Sequence, residues 1–451
     1  MSTFFIHNFG CRATQADASA IRQDLKSHGY DVIESDVAAE LVVLNTCTVT
    51  SAADAEAREA IRRIHRQNPG ARIVVTGCYA QRAPEELAAL EGVTWVIGNS
   101  HQSAIASLVS RGADHGPDNF VPADRLASSP SRFVQVVHND AASIKDVLVA
   151  SPDSSDDRTR PTLKIQDGCN HRCSYCVIPL VRGHSRSLAP ERVTHEIRRL
   201  VETGAREIIL SGIDLGSYGR DLSPRSTLQG LIRRIVCETS LERLRLSSIE
   251  PMDVTQDFVD LVASTERIAP HFHMPLQSGS DRILRSMHRW YRAAHYARRV
   301  EIIRERLPGA AIGADVITGF PGETMEDHEA TTRFIQELPL SYLHVFSFSP
   351  RPGTEAATIN RPVPLSEIHR RARELRALGQ QKLVAFRATQ DGVALRVLIL
   401  GRQGADWTEG LSGNYLKVRI SGLWPRNQWL DVIFNNHDAA MEGISAEVLA
   451  L

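Results

Sequence analysis

The stretch Asp167-Gly168-Cys169-Asn170-His171-Arg172-Cys173-Ser174-Tyr175-Cys176 places three cysteines at a CxxxCxxC spacing, directly after an apolar run at 161–166 that predicts a short strand. A structural zinc site normally completes four protein ligands, so His171 and His184 have to be considered beside the cysteines. Soft thiolates also select iron–sulfur clusters, and a [4Fe–4S] cube held by three of them keeps one iron open for a cofactor. The spacing therefore indicates such a cluster, with an incomplete zinc site as the alternative.

The composition is typical of an ordinary soluble protein. The 451 residues exceed what one compact core contains, so two to four domains are expected. The formal net charge of −1 gives no global argument for a nucleic-acid partner. No apolar run reaches membrane-span length and the N-terminus lacks signal-peptide features, so we expect a cytoplasmic protein with no membrane partner. In that reducing compartment the seven cysteines are expected to be ligands rather than disulfides.

Residues 1–110 alternate β-rich and helical runs, which predicts an α/β domain with a doubly wound parallel sheet. Strands are predicted at 4–8, 41–46, 72–76 and 94–97, and helices at 14–28, at 51–67, and from near Pro84 and Ser100. Cys11, Cys47 and Cys78 each follow one of these strands. Because open sheets bind ligands at the carboxyl ends of their strands, the three thiols are expected to converge. They form either a second three-thiolate metal site or a set of buried cysteines.

Residues 159–385 continue the βα rhythm and predict a partial (β/α)6 barrel whose site lies at the strand ends. The predicted strands are 163–166, 207–210, 243–246, 271–276, 312–317 and 342–346, and the predicted helices are 190–202, 227–238, 254–264 and 295–306. Cys237 falls in an apolar helical run and is predicted to be a core thiol.

The segments on either side of this domain differ from it in character. Residues 111–158 are expected to be a linker, because turn-forming sequences occur at 112–117 and 151–157, and a strand is predicted at 132–138. Residues 386–451 are expected to form a small β-barrel. The strands predicted in it are 393–400, 415–420 and 429–434.

Two stretches are rich in basic side chains. Residues 281–306 hold eight arginines against three acidic residues, and residues 361–387 hold seven lysines or arginines against two. Each stretch is either a contact for a phosphate backbone or a solvated helix face.

Three short sequences, Asn8–Arg12 (NFGCR), Asn45–Thr50 (NTCTVT) and Thr76–Gln81 (TGCYAQ), together with 167–176 resemble the methylthiotransferase family of radical S-adenosylmethionine (SAM) enzymes. The resemblance spans nearly the whole chain. It implies that one [4Fe–4S] cluster is held by Cys169, Cys173 and Cys176 and binds SAM at its open iron. It also implies an auxiliary [4Fe–4S] cluster on Cys11, Cys47 and Cys78.

The ends of the predicted barrel strands carry candidate SAM contacts, and each polar residue among them is alternatively a loop cap or turn residue. Residues 313–323 resemble the adenine-side motif of the family, with Ile317 as an apolar contact. Glu250 is expected to accept a hydrogen bond from an amine or a ribose hydroxyl, and Gly212 to let backbone approach the ligand. Tyr175 packs over the cluster or the adenine, or is a core aromatic. The expected contacts are Tyr175, Ser211, Gly212, Glu250, Gln277 and Ile317.

Local matches at 45–50, 210–219 and 345–354 look most like the branch that acts on threonylcarbamoyladenosine 37 of tRNA, and 410–418 resembles its RNA-binding TRAM domain. Residues 386–451 carry six basic and seven acidic side chains, so composition alone predicts no basic patch. The resemblance implies reductive cleavage of SAM to a 5′-deoxyadenosyl radical, and transfer of a methylated sulfur from the auxiliary cluster.

The partners implied are the tRNA anticodon stem-loop, an electron donor such as flavodoxin or ferredoxin, and a sulfur source. The alternative substrates are isopentenyladenosine of tRNA and an aspartate of a ribosomal protein. A non-catalytic metal-binding RNA module is the alternative from another class.

Overall fold

The computed structural model describes residues 2–111, 134–150, 159–435 and 444–448. Its first sheet has six strands, all parallel, with helices between them. The strands are β1 (Thr3–Asn8), β2 (Asp31–Val32), β3 (Leu41–Thr46), β4 (Arg72–Gly77), β5 (Val93–Ile97) and β6 (Gln135–Val137). The helices are α1 (Arg12–Ser27), α2 (Ser51–Gln67), α3 (Cys78–Arg82), α4 (Pro84–Ala88) and α5 (Ile105–Arg111), the last preceded by a 3-10 segment at Asn99–Ala104.

The strand order of this sheet is β2-β1-β3-β4-β5-β6. Every residue of β3 is buried, because alternate side chains pack into separate apolar cores on the two faces of the sheet. Val42 and Leu44 face the core shared with α2, whereas Leu41 and Val43 face the core shared with α1. The prediction of a doubly wound parallel sheet is confirmed.

The central domain contains eight strands and eight helices. The strands are β7 (Thr162–Lys164), β8 (Gln166–Asp167), β9 (Arg186–Ser187), β10 (Glu207–Ser211), β11 (Arg243–Leu246), β12 (His271–His273), β13 (Ala311–Thr318) and β14 (Tyr342–Ser347). The helices are α6 (Ile178–Arg182), α7 (Pro190–Glu202), α8 (Leu228–Glu238), α9 (Gln256–Ala263), α10 (Asp281–Ser286), α11 (Ala293–Arg306), α12 (Met325–Glu337) and α13 (Leu365–Ala388).

Six of these strands form the wall of an open barrel. The parallel sheets β7-β10-β11 and β12-β13-β14 are joined by a parallel bridge between Leu244 and Ile268. All six predicted strands are present. The fourth is shorter than predicted and ends at His273, shortly before Pro275, which has no backbone N–H to donate.

Helices cover both edge strands of the open barrel. Helix α1 of the first sheet packs against β7, and α13 packs against β14. Asp17 on α1 pairs with Lys164 on β7 and, at 2.8 Å, with Arg182 on α6. Asp167 binds the same two cations, and all four side chains are buried. This four-residue network fastens the first domain to the barrel.

The last part of the described chain is a small closed β-barrel. Its strands are β15 (Ala394–Gln403), β16 (Trp407–Ser412), β17 (Lys417–Ser421), β18 (Trp429–Phe434) and β19 (Ile444–Val448), in the order β15-β16-β17-β19-β18. The predicted barrel is confirmed, with two strands more than expected.

A loop of this small barrel closes the floor of the six-stranded one. The ring of Tyr415 stacks on His271 at 4.4 Å, and the guanidinium of Arg245 lies 5.3 Å from the Tyr415 ring centre. Arg245 also donates hydrogen bonds of 2.9 Å to the carbonyls of Ser412 and Gly413. The two barrels are thus joined through aromatic and polar contacts.

Some expectations from the sequence are corrected or fall outside the described residues. Cys237 is exposed rather than buried, because it lies on the outer face of α8. The buried face of that helix is formed by Leu228, Leu231, Ile232 and Ile235. The expected loops at 112–117 and 151–157 lie outside the described residues, as do positions 132 and 133 of the strand predicted at 132–138.

The predicted domain limits stay predictions. Strand β6 belongs to the first sheet although it lies beyond residue 110, and α13 crosses the limit expected at 385. Across the described ranges, the structure contains no helix with both the length and the apolar character needed to cross a membrane.

Candidate active site

The CxxxCxxC loop lies at the mouth of the open barrel. Cys169, Cys173 and Cys176 border one open cavity of about 520 Å³. The backbone N–H of Cys169 donates to the carbonyl of Gly183 at 3.1 Å, and Ser174 donates from its backbone and hydroxyl to the end of α10. The loop is therefore held at both ends with its three thiols facing one space.

Polar groups stand next to these sulfurs. Arg289 donates to Cys173 Sγ at 3.3 Å, and the backbone N–H of His171 donates to Cys169 Sγ at 3.4 Å. Burial raises the pKa of Cys176 to about 12, with a further contribution from Cys173. The free thiol of Cys176 is therefore protonated at neutral pH, and metal binding would release its proton.

The histidines near this loop have other partners. His171 Nε2 lies 3.2 Å from Asp214, and the His171 ring stacks on Trp290 at 5.3 Å. His184 borders the cavity, with Nδ1 3.4 Å from Asn170. Among the described residues of this loop, the groups available to bind a metal cluster are three thiols around one cavity. This arrangement fits a [4Fe–4S] cluster with an open iron. Cys169, His171 and Asp214 lie close enough to hold a metal ion, but they include only one of the three thiols.

The other three cysteines meet at the carboxyl edge of the first sheet, as expected. Cys11 is the N-cap of α1, Cys47 directly follows β3, and Cys78 begins α3. Burial raises the pKa of Cys47 to about 12, and the nearby thiols of Cys78 and Cys11 act in the same direction. Three converging thiols fit a second cluster with three protein ligands.

Helix α6 connects the two sets of cysteines. It follows the CxxxCxxC loop, and Val177 and Val181 pack against Cys78. Arg182 at its end donates to Cys78 Sγ at 3.3 Å, and Asn99 donates to the same sulfur at 3.6 Å. The sheet edge and the barrel mouth therefore share one interface.

Three of the six expected SAM contacts come together. Tyr175, Gln277 and Ile317 border a cavity of about 210 Å³ beside Cys176, with Phe346 on the same wall. Gln277 has φ +65°, and its carbonyl accepts a 2.9 Å hydrogen bond from the N–H of Ile317. This cavity has the apolar wall and convergent polar groups that suit an adenosyl group.

The other three expected contacts do not line this cavity. Ser211 is buried at the end of β10, and a Cβ added to Gly212 would meet Gln166 Oε1 at 2.9 Å. Glu250 pairs with Arg289, the arginine behind Cys173. Burial raises the pKa of Glu250, and Arg289 opposes that rise. Glu250 therefore helps to hold Arg289 beside the cluster loop.

Reasoning from the sequence missed several residues of the site. Arg289 lies 116 positions after Cys173, and only the high arginine content of 281–306 pointed toward it. It also missed a hydrogen-bonded group inside the barrel, in which Asp315 accepts from His273 at 2.8 Å and from His344 at 3.2 Å. These three strand residues form no sequence motif.

Known proteins share this architecture. Residues 163–335 match the family model of the Radical SAM superfamily, and residues 3–98 match the Uncharacterized protein family UPF0004. The chain is 35% identical to the "Threonylcarbamoyladenosine tRNA methylthiotransferase MtaB" of Aquifex aeolicus (strain VF5), covering 92% of this chain and 95% of that protein. The chain belongs to the radical-SAM methylthiotransferase family. The prediction made from its cysteine motifs is confirmed.

Other methylthiotransferases and one solved structure are also similar to this chain. The protein of the same name from Bacillus subtilis (strain 168) is 35% identical over 94% of this chain and 91% of its own. A "tRNA-2-methylthio-N(6)-dimethylallyladenosine synthase" of Clavibacter michiganensis is 32% identical over 89% of this chain and 73% of its own. Radical SAM methyltransferase TsrM from Kitasatospora setae has a TM-score of 0.55 at 18% identity, covering 79% of this chain and 77% of that one, and shares the fold. Methylthiotransferases use SAM and two [4Fe–4S] clusters.

Proposed function

We propose that this enzyme converts N6-threonylcarbamoyladenosine at position 37 of tRNA to its 2-methylthio derivative. The observation that carries the proposal is the 35% identity, over more than nine tenths of the chain, to two methylthiotransferases named for that nucleoside. The meeting of two three-thiol sets at one interface supports the same chemistry. The second candidate substrate is an N6-dimethylallyl adenosine, because relatives named for it are 32% identical.

We assign Cys169, Cys173 and Cys176 to the cluster that binds SAM, and Cys11, Cys47 and Cys78 to the auxiliary cluster. When bound, the first cluster would supply the electron for reductive cleavage of SAM, and the auxiliary cluster would supply the sulfur for transfer. Arg289 and Arg182 place a positive charge beside one sulfur of each set.

The chain also has to position SAM and exclude water. Ile317 and Phe346 offer an apolar wall for the adenosyl group, and Tyr175 closes the cavity beside Cys176. We propose that Gln277 orients the group by hydrogen bonding. Residues 386–451 would contact the tRNA, and an electron donor such as flavodoxin or ferredoxin and a sulfur source complete the cycle.

The substrate assignment is tested by mass spectrometry of tRNA nucleosides from a deletion strain complemented with wild-type protein or with Cys173→Ala. Deletion should remove the 2-methylthio group from threonylcarbamoyladenosine. It should leave the derivatives of N6-dimethylallyl adenosine (isopentenyladenosine) unchanged. Wild-type protein should restore the 2-methylthio group, and Cys173→Ala should not. The reverse pattern would assign the second candidate substrate.

Metal analysis tests the cofactor assignment independently of the substrate. Anaerobically reconstituted protein should contain about eight irons per chain, because two four-iron cubes are proposed. Stoichiometric zinc with little iron would contradict this assignment.

A further inference from the structure

Three polar side chains form a layer inside the open barrel, next to the cavity of about 210 Å³ at its mouth. Asp315 borders this cavity itself, together with Ile317 two positions later on β13. His344 pairs with Asp315 across the sheet and stands two positions before Phe346, another residue of the cavity wall. Because strand side chains alternate between faces, all four face the same interior. His273 of β12 completes this group, which we call the lumen layer, with Nε2 2.8 Å from Asp315.

The side of the lumen layer away from the cavity is closed by the floor of the barrel. His273 Nδ1 lies 3.0 Å from the hydroxyl of Tyr342, and that hydroxyl lies 2.8 Å from Nε2 of His271. Tyr415 of the small barrel stacks on His271. A ligand can therefore reach the lumen layer from the side of the cavity.

His344 is the member of the lumen layer that has a ring nitrogen left for a ligand. Its side chain is 54% exposed although it faces the inside of a barrel, so the space beside it holds solvent or a ligand. Nδ1 lies 3.2 Å from Asp315, and within the part of the chain that the structure describes Nε2 makes no hydrogen bond. The carboxylate of Asp315 thus orients the ring, and Nε2 remains for a ligand.

The cavity next to the lumen layer lies between the two sets of cysteines. Its wall includes Cys176 of one set and Thr50, which follows Cys47 of the other set by three positions. The adenosine that receives the methylthio group has to reach both proposed clusters, so its base has to lie beside this cavity. On adenine, C2 and the N6 substituent flank the same ring nitrogen, N1. The N6 substituent of that base then lies within reach of the lumen layer.

The two candidate substrates would bring different chemical groups to the lumen layer. A threonylcarbamoyl substituent carries N–H groups, a hydroxyl and a carboxylate, whereas an isopentenyl group is apolar and has no hydrogen-bonding atom. An apolar group placed there would exclude water and leave polar atoms of the layer without partners, which costs free energy. A site built from hydrogen-bonding groups therefore discriminates strongly against a substituent that cannot satisfy them.

We propose that the lumen layer binds the N6-threonylcarbamoyl group of the substrate, with His344 in contact with its carboxylate. Asp315 positions the ring of His344, and His273 positions Asp315. This inference rests on the proposed function, and it makes the lumen layer the site that selects a threonylcarbamoyl over an isopentenyl substituent. SAM is the other ligand that could reach the layer, but a contact with SAM is independent of the modification at position 37.

The test measures binding of anaerobically reconstituted enzyme to one tRNA that carries either threonylcarbamoyladenosine or isopentenyladenosine at position 37. Wild type should bind the threonylcarbamoyl form about 10- to 100-fold more tightly, the range expected for hydrogen bonds to a charged group. His344→Phe should lose that preference, and His344→Gln, which keeps an N–H donor, should retain part of it. His195→Phe, at an exposed position of α7, should behave as wild type.

A third tRNA changes the ligand instead of the protein. When the threonyl carboxylate is converted to an amide, wild type should lose most of its preference, so this measurement does not depend on the folding of a variant. Equal binding of the carboxylate and amide forms would overturn the proposal, and so would an unchanged preference in His344→Phe.

Reductive cleavage of SAM in the absence of tRNA separates the two ligands that could reach the lumen layer. His344→Phe should cleave SAM at the same rate as wild type, because the proposed contact is with the substrate. A fall in cleavage would show that the layer serves SAM and would overturn the proposal. If wild type fails to methylthiolate the threonylcarbamoyl form at all, the proposed function itself is wrong.

Discussion

Arg289 and Arg182 have equivalent positions in the two halves of the site. Arg289 donates to Cys173 and pairs with Glu250, whereas Arg182 donates to Cys78 and pairs with Asp17 and Asp167. Each arginine therefore links a proposed sulfur ligand to a carboxylate. Residues of this kind escape sequence reasoning, because only the folded chain brings them to the sulfur.

Mutation should separate the functions of the two cysteine sets. Cys173→Ala removes one of three thiolates from the proposed SAM site, so SAM cleavage should fall to background. Cys47→Ala alters a site on another sheet, so cleavage to 5′-deoxyadenosine should persist without methylthiolation. Both products are measured by liquid chromatography and mass spectrometry on protein shown to be folded. The division of tasks is wrong if folded Cys47→Ala cleaves no SAM, or if it methylthiolates tRNA at a normal rate.

Arg182→Met should destabilise the protein by about 3–5 kcal/mol, because it leaves Asp17 and Asp167 as buried carboxylates with one cation fewer. Arg198→Met is the matched control, since Arg198 pairs with Glu238 at the surface, with exposures of 48% and 37%. It should change the free energy of unfolding by no more than about 1 kcal/mol. Urea unfolding of both variants under the same anaerobic conditions gives the comparison. Equal effects would contradict a role for the buried network.

The junction between β4 and α3 sets the position of Cys78. Gly77 has φ +97° and ψ −164°, a backbone conformation open almost only to glycine, and an added Cβ would lie 2.3 Å from the carbonyl oxygen of Thr46. The turn therefore places Cys78 at the sheet edge only because residue 77 is a glycine and has no side chain.

Gly77→Ala should displace Cys78 and reduce bound iron from about eight to about four per chain, with loss of methylthiolation and retention of SAM cleavage. Gly204→Ala is the control, since Gly204 also has φ +97° but an added Cβ meets nothing within 4 Å. It should cost about 1–2 kcal/mol of stability and keep all the iron. Iron and sulfide analysis of both purified variants decides the question. Full iron content in Gly77→Ala would contradict this role of the turn.

The regular elements were predictable where one physical signal dominates. Apolar runs such as 41–44 indicated buried parallel strands, and the cysteines marked the ends of β3 and β4. Strand β16 was missed because Trp407–Ser412 contains Glu409 and Gly410 and lacks clear alternation, so its conformation is supplied by pairing with β15 and β17. Of the expected SAM contacts, Gln277 and Ile317 line the cavity beside Cys176, whereas Glu250 pairs with Arg289, a partner that no sequence pattern indicates.

The small C-terminal barrel is part of the floor of the large one. Tyr415 has φ +67°, and its ring lies against His271 and 6.2 Å from the ring of Tyr342. The proposed RNA-binding domain and the proposed catalytic domain should therefore unfold together rather than as independent units.

Tyr415→Ala should lower the free energy of unfolding by about 2–3 kcal/mol, because it removes the stacking on His271 and the contact with Arg245. Protection of the β12–β14 amides from hydrogen exchange should fall in the same variant. Leu423→Ala is the control on the same barrel, because Leu423 is 61% exposed, and its effect should stay within about 0.5 kcal/mol. Loss of protection confined to β15–β18 would show that the two barrels are independent.

The two covered edges of the open barrel have a consequence for the newly synthesised chain. Unpaired strand edges attract other chains and lead to aggregation. Helix α1 leaves the ribosome long before β7, so the cover of the first edge is ready when that strand emerges. The edge of β14 is uncovered until α13 has been synthesised. Because α13 ends at Ala388, its synthesis is complete within roughly ten seconds after that of β14, at ~5–20 residues per second. The order of the elements along the gene thus limits the time during which either edge is bare.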